Sequence, residues 1–275
     1  MTDSLPDSSP VAGSWGVVVP VKRLELAKTR LAPYGEQARQ DLALAFAADV
    51  VEAARGAAQV LVVTDDERAA ARLSELGADV APDDPDAGLN PALTHGAELL
   101  RAARPGLGVA TLSADLPALR TDHLRRALAD VGDGRGFVAD LAGTGTTLLA
   151  AGPGSALGPA FGPGSREAHL ASGAVELVAP RGLRCDVDTA PDLLCALALG
   201  TGRHTASVAA QLGLVVRSAT VRSWDESGGS AFADDGSVLP LAADSLQGSG
   251  FRFVRVGQRV RVASAPDGAT RLALP

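Results

Sequence analysis

The two lysines of the chain lie close together, directly after an apolar segment. Only two of the 25 basic residues are lysines, Lys22 and Lys28. With Arg23 and Arg30 they place four cations just after the apolar residues 15–21. An ammonium group is a compact point charge and a guanidinium group a planar fork, and both suit phosphate oxygens. The alternative is a solvated loop without a ligand, and this segment alone leaves both interpretations open.

A second set of candidate residues is acidic. Asp115 comes directly after the apolar residues 108–113, and Pro117 prevents that strand from continuing as an ordinary central strand. Asp186 and Asp188 precede a predicted helix. Each acid alone is more typical of a loop or cap. A carboxylate pair also suits Mg²⁺, which proteins usually hold through one or two acids plus substrate phosphates. Together with the cationic loop, the acids predict a phosphoryl or nucleotidyl transfer site.

Three further segments could contact a ligand. In residues 143–147 glycines alternate with threonine hydroxyls, although a plain hairpin turn is the simpler interpretation. In residues 161–167, Ser165 could cap a helix whose amides bind an anion such as a carboxylate. Asn90 could contact a nucleotide base or equally well cap a helix. The four histidines show neither metal-ligand spacing nor a neighbouring nucleophile, which argues against catalytic histidine chemistry.

Strands and helices must alternate to position these residues. Apolar runs typical of buried strands and helical spacings follow one another along the chain. The strands are predicted at 15–21, 60–64, 78–81 and 108–113, and the helices at 36–55, 66–76, 91–104 and from about 121. This alternation predicts a doubly wound, mostly parallel sheet. Ligands collect at the carboxyl ends of such strands, where the lysine segment, Asp115 and Asp186 follow.

Composition limits the class of protein. A chain of 275 residues has room for one large α/β domain and a small one. The net charge of −7 argues against general affinity for nucleic acid or anionic membranes. Cys185 and Cys195 lack the spacing of a metal site and fit a reduced, cytoplasmic protein. Residues 1–14 lack the pattern of a signal peptide and are predicted to be a disordered leader.

The pattern changes after residue 200. Residues 15–200 form the predicted α/β domain, residues 201–215 a linker with a short helix, and residues 216–275 a small all-β unit. Two segments of this unit, 219–224 and 247–260, resemble a cold-shock domain, which is a five-stranded barrel of the OB type.

The binding face of a cold-shock domain is altered in this chain. Its basic and aromatic strands are replaced by Gly-Gly-Ser-Ala-Phe at 228–232 and Leu-Pro-Leu-Ala-Ala at 239–243. Because aromatic stacking contributes roughly 1–3 kcal/mol per base, this loss argues against nucleic-acid binding. Packing, dimerisation or contact with another protein are the predicted roles of the unit, so a homo-oligomer stays open.

Residues 15–200 resemble the phosphoenolpyruvate/2-phospholactate guanylyltransferases of deazaflavin coenzyme F420 biosynthesis. Six segments in the same order carry the resemblance: 21–33, 115–119, 143–146, 161–165, 172–177 and 183–189. The resemblance implies a nucleotidyltransferase fold, Rossmann-like, with a mostly parallel sheet between helices. It also implies that GTP and phosphoenolpyruvate are condensed into enolpyruvoyl-2-diphospho-5′-guanosine and pyrophosphate.

The resemblance also implies roles for single residues. Asp115 and Asp186 would hold Mg²⁺ and, with Lys28, would be the catalytic residues. The acceptor would be bound by the residues matching three family positions, Thr146, Gly162 and Ser165. Lys22 and Lys28 match the loop that handles the nucleotide phosphates, and Asn90 is the further nucleotide contact suggested above.

Two alternatives remain open. The acceptor could be 2-phospho-L-lactate or another small phosphorylated carboxylic acid, because nothing in the residues separates these substrates. From a different class, the chain could be an RNA-binding regulator that acts through its C-terminal unit and uses the α/β part as a nucleotide sensor.

Overall fold

The computed structural model describes residues 14–84 and 87–274. The predicted leader therefore lies outside the described residues except for Ser14, as do two residues of the acidic segment at 83–86. Within the described parts no helix is long and apolar enough to cross a membrane.

Strands and helices alternate as predicted from residue 15 to the helix that begins at residue 121, and two consecutive strands then follow at 135–139 and 146–151. The strands are β1 (Trp15–Pro20), β2 (Gln59–Val63), β3 (Asp79–Ala81), β4 (Gly108–Leu112), β5 (Arg135–Ala139), β6 (Thr146–Ala151) and β7 (Val175–Glu176). The helices are α1 (Glu36–Arg55), α2 (Glu67–Glu75), α3 (Leu89–Ala103), α4 (Thr121–Val131), α5 (Ser165–Ala171) and α6 (Ala190–Leu199).

The seven strands form one sheet in the order β3-β2-β1-β4-β6-β5-β7. β3, β2, β1 and β4 are parallel neighbours, whereas β6 runs antiparallel to both β4 and β5. The predicted mostly parallel sheet is therefore confirmed. Residues 140–145 connect β5 to β6, so the hairpin interpretation of the glycine-threonine segment is also confirmed.

Both faces of the sheet are covered, which explains the continuous apolar run of β1. Val17 and Val19 pack with α1 and α4 on one face, and Val18 packs with α3 on the other. All three valines are fully buried. The centre of the sheet is therefore packed on both faces, and the loops that follow β1 and β4 begin from this buried part.

The last part of the chain forms an antiparallel sheet. Its strands, in the order β10-β9-β8-β11-β12, are β8 (Val215–Asp225), β9 (Gly228–Ala233), β10 (Val238–Ala242), β11 (Arg259–Ser264) and β12 (Thr270–Ala273). Val221, Leu241 and Val260 belong to a core of its own. The predicted all-β unit is therefore confirmed.

The segment between the two sheets contains the short helix predicted there, α7 (Arg203–Gln211). α7 packs on α1, because the buried carboxylate of Asp49 accepts hydrogen bonds from the amides of His204 at 3.0 Å and Thr205 at 2.9 Å. A third core joins α6 to the C-terminal unit, since Leu193 and Ala196 cluster with Ala263 and Ala273.

Candidate active site

Lys28 and two acids meet at the carboxyl edge of the large sheet. β1 and β4 are adjacent and parallel, so the segments that follow them leave the sheet side by side. The Nζ atom of Lys28 donates to Oδ2 of Asp115 and, at 2.7 Å, to Oδ1 of Asp188. Three distant parts of the sequence therefore converge on one ion-paired cluster.

The segment between β1 and Lys28 is anchored by two side chains from other elements. Arg39 of α1 is buried and donates to the carbonyls of Leu24 at 3.2 Å, Glu25 at 2.8 Å and Ala27. The carboxylate of Asp66 accepts from the amide of Leu24 at 2.8 Å. These bonds hold the backbone of the segment in one conformation, which fixes where its lysines start.

Lys28 itself has a strained backbone. Its φ of 53° lies in the left-handed region, and it is the one non-glycine residue among those described with a positive φ. Such a conformation costs of order 1–3 kcal/mol and persists only where the surroundings enforce it. Here a 3₁₀ turn (Thr29–Tyr34) begins immediately afterwards, and the side chain is held by two carboxylates.

The charges of this cluster stabilise one another. Burial lowers the pKa of Lys28, but Asp115 and Asp188 outweigh it, so that this pKa lies above its ordinary value. Burial raises the pKa of Asp188, but the charge and hydrogen bond of Lys28 outweigh it and hold that pKa below its ordinary value. Lys28 is therefore an ammonium ion and Asp188 a carboxylate at neutral pH.

Asp186 behaves differently from Asp188. Burial, followed by the charges of Asp115 and Asp140, raises the pKa of Asp186 to about 7. In addition, Oδ1 of Asp115 is buried and has no hydrogen-bond partner among the described residues. This oxygen could be a ligand of a divalent cation, and the cation would also offset the repulsion between the carboxylates. The acids present here therefore fit such a cation.

Asp188 is an addition to the predicted site. The resemblance implies Asp115 and Asp186 as the metal pair, and the structure adds Asp188 as the acid that holds Lys28. The signal was present, because Asp186 and Asp188 stand two residues apart in front of α6. Thr189 and Asp192 form a capping box at that helix, which fixes the position of both acids.

A cavity of about 460 Å³ opens beside this cluster. Its lining includes Lys22, Lys28, Asp115 and Asp188, together with the apolar side chains of Leu26 and Leu89. It therefore offers cations and acids on its walls with an apolar part nearby, as a nucleotide with its phosphates requires.

The predicted acceptor residues lie next along the same edge. β6 runs antiparallel to β4, so Thr146 begins β6 near the end of β4, and the amide of Ser113 donates to the carbonyl of Thr147 at 2.9 Å. The preceding turn is held by Asp140, whose carboxylate accepts from the amides of Thr144 and Gly145 at 2.9 and 2.8 Å.

Gly162 and Ser165 sit where α5 begins. Gly162 has a φ of 139°, a conformation that favours glycine. The predicted capping role of Ser165 is wrong, because Gly164 is the N-cap of α5 and Ser165 is the first helical residue, with its side chain buried. Ser165 therefore stays a candidate for acceptor binding but not as a helix cap.

The predicted base contact of Asn90 has to be revised. Its Nδ2 donates to the carbonyl of Phe161 at 3.0 Å, and its Oδ1 accepts from the amide of Phe161 at 2.8 Å. Both ends of the amide are used within the protein. Asn90 therefore holds the segment in front of Gly162, a role that sequence spacing could not show because 71 residues separate the partners.

A second group of possible metal ligands lies between α1 and α7. Ligand atoms of Asp49, Glu52 and His204 lie within 4.8 Å of one another. Asp49, however, already accepts from two amides at the start of α7, and Glu52 pairs with Arg203 and His204. We therefore assign these side chains to the contact between α1 and α7.

Comparison with known proteins identifies the family. The family described as "Guanylyl transferase CofC like" matches residues 15–224. The chain belongs to this family. The match extends from β1 through α7 to β8, and so it includes Lys28, Asp115 and both acids in front of α6. The chain is accordingly a nucleotidyltransferase enzyme.

Individual relatives agree with this assignment. A phosphoenolpyruvate guanylyltransferase from Thermomonospora curvata is 58% identical over 205 residues, which cover 72% of this chain and 90% of that protein. A phosphoenolpyruvate guanylyltransferase from Streptomyces scabiei is 55% identical over 209 residues, covering 72% of this chain and 97% of its own length.

One solved structure supports the fold alone. A crystal structure from Desulfovibrio desulfuricans G20, named as a nucleotide-diphospho-sugar transferase, superposes with a TM-score of 0.54 at 17% identity. The superposition covers 73% of this chain and 96% of that one. The two chains therefore share a fold.

Proposed function

We propose that this enzyme transfers the guanylyl group of GTP to phosphoenolpyruvate. A phosphate oxygen of the acceptor attacks the α-phosphorus, the bond to the β-phosphate oxygen breaks, and pyrophosphate leaves. The products are enolpyruvoyl-2-diphospho-5′-guanosine and pyrophosphate, as expected for coenzyme F420 biosynthesis. Two relatives at 58% and 55% identity carry the name of this activity. The single observation that carries the proposal is the Lys28, Asp115 and Asp188 cluster at the edge of this fold.

Positioning and charge do most of the work in such a transfer, so no covalent intermediate with the enzyme is needed. We assign Asp115 and Asp186 as ligands of Mg²⁺, which would neutralise the phosphates that have to approach each other. Lys28 is an ammonium ion that stabilises negative charge at the transferred group, and Lys22 lines the same cavity.

Acceptor binding is assigned to Thr146, Gly162 and Ser165. They lie at the start of β6 and at the start of α5, next to the cluster along the sheet edge. A hydroxyl and backbone amides suit the carboxylate of a phosphorylated three-carbon acid. The alternative acceptor, 2-phospho-L-lactate, carries the same carboxylate and phosphate, so these contacts alone do not separate the two.

A pyrophosphate-release assay tests the proposal. The purified chain is incubated with GTP, Mg²⁺ and either phosphoenolpyruvate, 2-phospho-L-lactate or 3-phosphoglycerate. We expect turnover that depends on the acceptor, with the highest kcat/KM for phosphoenolpyruvate. A higher kcat/KM for 2-phospho-L-lactate would identify that acid as the acceptor instead. Pyrophosphate release without any acceptor would contradict the transfer.

RNA binding by the C-terminal unit is not proposed. Arg259 pairs with Asp234, and Arg217 with Asp235, so part of its positive charge is neutralised within the sheet. A filter-binding titration with single-stranded oligonucleotide checks this: tight, salt-sensitive binding would favour the regulator. A cytoplasmic location and a homo-oligomer both stay predictions.

A further inference from the structure

Thr146 has a buried histidine as its partner. Its Oγ1 lies 2.9 Å from Nδ1 of His169 on α5. His169 is fully buried, and Thr146 keeps 7% of its surface exposed. His169 is the single hydrogen-bond partner of this hydroxyl within the described residues. The direction of this bond therefore decides what the hydroxyl can offer to a ligand.

The second ring nitrogen of His169 settles that direction. Nε2 lies 3.0 Å from the backbone amide nitrogen of Ala160. An amide N–H can only donate, so Nε2 must be the accepting nitrogen without a proton. Burial and the charge of Arg135 lower the pKa of His169, which keeps the ring neutral. The one ring proton is therefore on Nδ1 and is donated to Thr146.

The consequence concerns the threonine proton. Because Oγ1 of Thr146 accepts from His169, its own hydroxyl proton remains to be donated elsewhere. A hydroxyl proton with no acceptor among the described residues favours a ligand with an anionic oxygen. A lone threonine, in contrast, could turn its hydroxyl either way.

The same histidine also fixes the segment leading to Gly162. It accepts from Ala160, and its ring contacts that of Phe161 edge-on, with 5.2 Å between the centroids. Asn90 holds Phe161 by two hydrogen bonds from the other side. His169 therefore ties the start of β6 to the segment in front of α5, which are the two parts that carry the candidate acceptor residues.

We propose that His169 is a positioning residue for the acceptor. It fixes the hydroxyl of Thr146 as a hydrogen-bond donor to an anionic group of the phosphorylated acid and holds Ala160 and Phe161 beside it. This inference rests on the proposed function. It goes beyond that function by assigning a role to a fully buried histidine.

Two amide variants of His169 separate the roles of its two ring nitrogens. The side-chain amide of asparagine reaches the region of Nδ1, so His169→Asn retains a donor for Thr146. That of glutamine reaches the region of Nε2, so His169→Gln retains only the acceptor for Ala160. Thr146→Val removes the hydroxyl itself, and the double variant Thr146→Val/His169→Gln tests whether the two act together.

The readout is the KM for each substrate in the pyrophosphate-release assay. A hydrogen bond to a charged group contributes about 1.5–3 kcal/mol, or roughly 10–150-fold. For His169→Gln we expect the KM for the acceptor to rise at least about tenfold, with the KM for GTP unchanged. His169→Asn should raise this KM less than His169→Gln does, because it keeps the donor for Thr146 and loses the acceptor for Ala160, and the double variant should be no worse than Thr146→Val.

Several results would overturn the inference. They are equal KM values for the acceptor in His169→Gln and His169→Asn, or a parallel rise in the KM for GTP. Long-range ¹H–¹⁵N NMR of the unaltered chain measures the tautomer without any turnover, and a proton on Nε2 would refute the donor assignment. No turnover by the unaltered chain with any acceptor would instead reject the proposed function and, with it, the role in acceptor binding. Thermal unfolding of each variant confirms that it is folded.

Discussion

Replacing Asp115 by asparagine should separate catalysis from stability. The carboxylate has two different oxygens in this structure: Oδ2 accepts from Lys28, and Oδ1 is buried without a partner among the described residues. Asparagine keeps the volume and one oxygen but removes the charge. The variant therefore tests whether the charge serves a ligand or only the internal ion pair.

The two effects have different expected magnitudes. If Oδ1 serves a cation on the phosphates, loss of this preorganised contact should lower kcat about 10²–10³-fold, or about 2.7–4 kcal/mol. Stability should change little, because Lys28 keeps Asp188 as a partner at 2.7 Å. Moreover, the repulsion from Asp115 that helps to raise the pKa of Asp186 disappears. We expect Tm to change by no more than about 3 °C, which corresponds to about 1 kcal/mol for a domain of this size.

The assay is pyrophosphate release at saturating GTP and acceptor across a Mg²⁺ titration, with thermal unfolding in parallel. Asp130→Asn, on the exposed side of α4, is the matched control and should retain full activity. Near-normal, Mg²⁺-dependent turnover by Asp115→Asn would refute the assignment of this acid. A large loss of Tm together with the loss of activity would show that the ion pair with Lys28 is structural.

Three further predictions use the same preparations. Arg39→Met should raise the KM for GTP about tenfold and destabilise the fold by about 2 kcal/mol, because three backbone carbonyls lose their donor. An unchanged KM in steady-state kinetics and an unchanged free energy of unfolding in urea would contradict this. The pKa of Asp186 is raised to about 7, so this carboxyl group carries a proton below that pH. The apparent Kd for Mg²⁺ should therefore rise about tenfold per pH unit below 7 and level off above about 8. Asp186→Asn should remove this pH dependence in a calorimetric titration. Asp49→Ala should lower Tm by several degrees with kcat unchanged, because it removes the hydrogen bonds from two backbone amides that hold α7. A large fall in kcat that added Zn²⁺ or Mn²⁺ restores would instead indicate a metal site.

Much of the fold follows from local patterns in the sequence. Helix α1 begins and ends where its spacing predicts, at Glu36 and Arg55, and the capping box at Thr189 forms as its residue types require. These features depend on neighbours within a few positions. The parallel arrangement of β1 to β4 also follows from the alternation of strands and helices, because short connections leave few topologies. The location of the site at the carboxyl ends of β1 and β4 therefore follows from the sequence pattern.

The support of the site was less predictable, because it depends on pairs that are far apart in the sequence. Arg39 looks like an exposed charge of an amphipathic helix, yet it is buried on the carbonyls of the lysine segment. His169 stands 23 residues from Thr146 and Asn90 stands 71 residues from Phe161, so no spacing rule joins them. The types of the reacting side chains are visible in one dimension, whereas the residues that aim them depend on the three-dimensional fold.

The C-terminal unit has a physical connection to the acids of the site through α6. This helix begins two residues after Asp188, and its buried face forms one core with Ala263 and Ala273 of the all-β unit. The Sγ atom of Cys195 on α6 donates to the carbonyl of Gly248 in that unit at 3.2 Å. A shift of the unit would therefore move the helix that fixes Asp186 and Asp188. Of the roles predicted for the unit, packing is the one that these contacts support, because it stabilises α6 without requiring a nucleic-acid ligand.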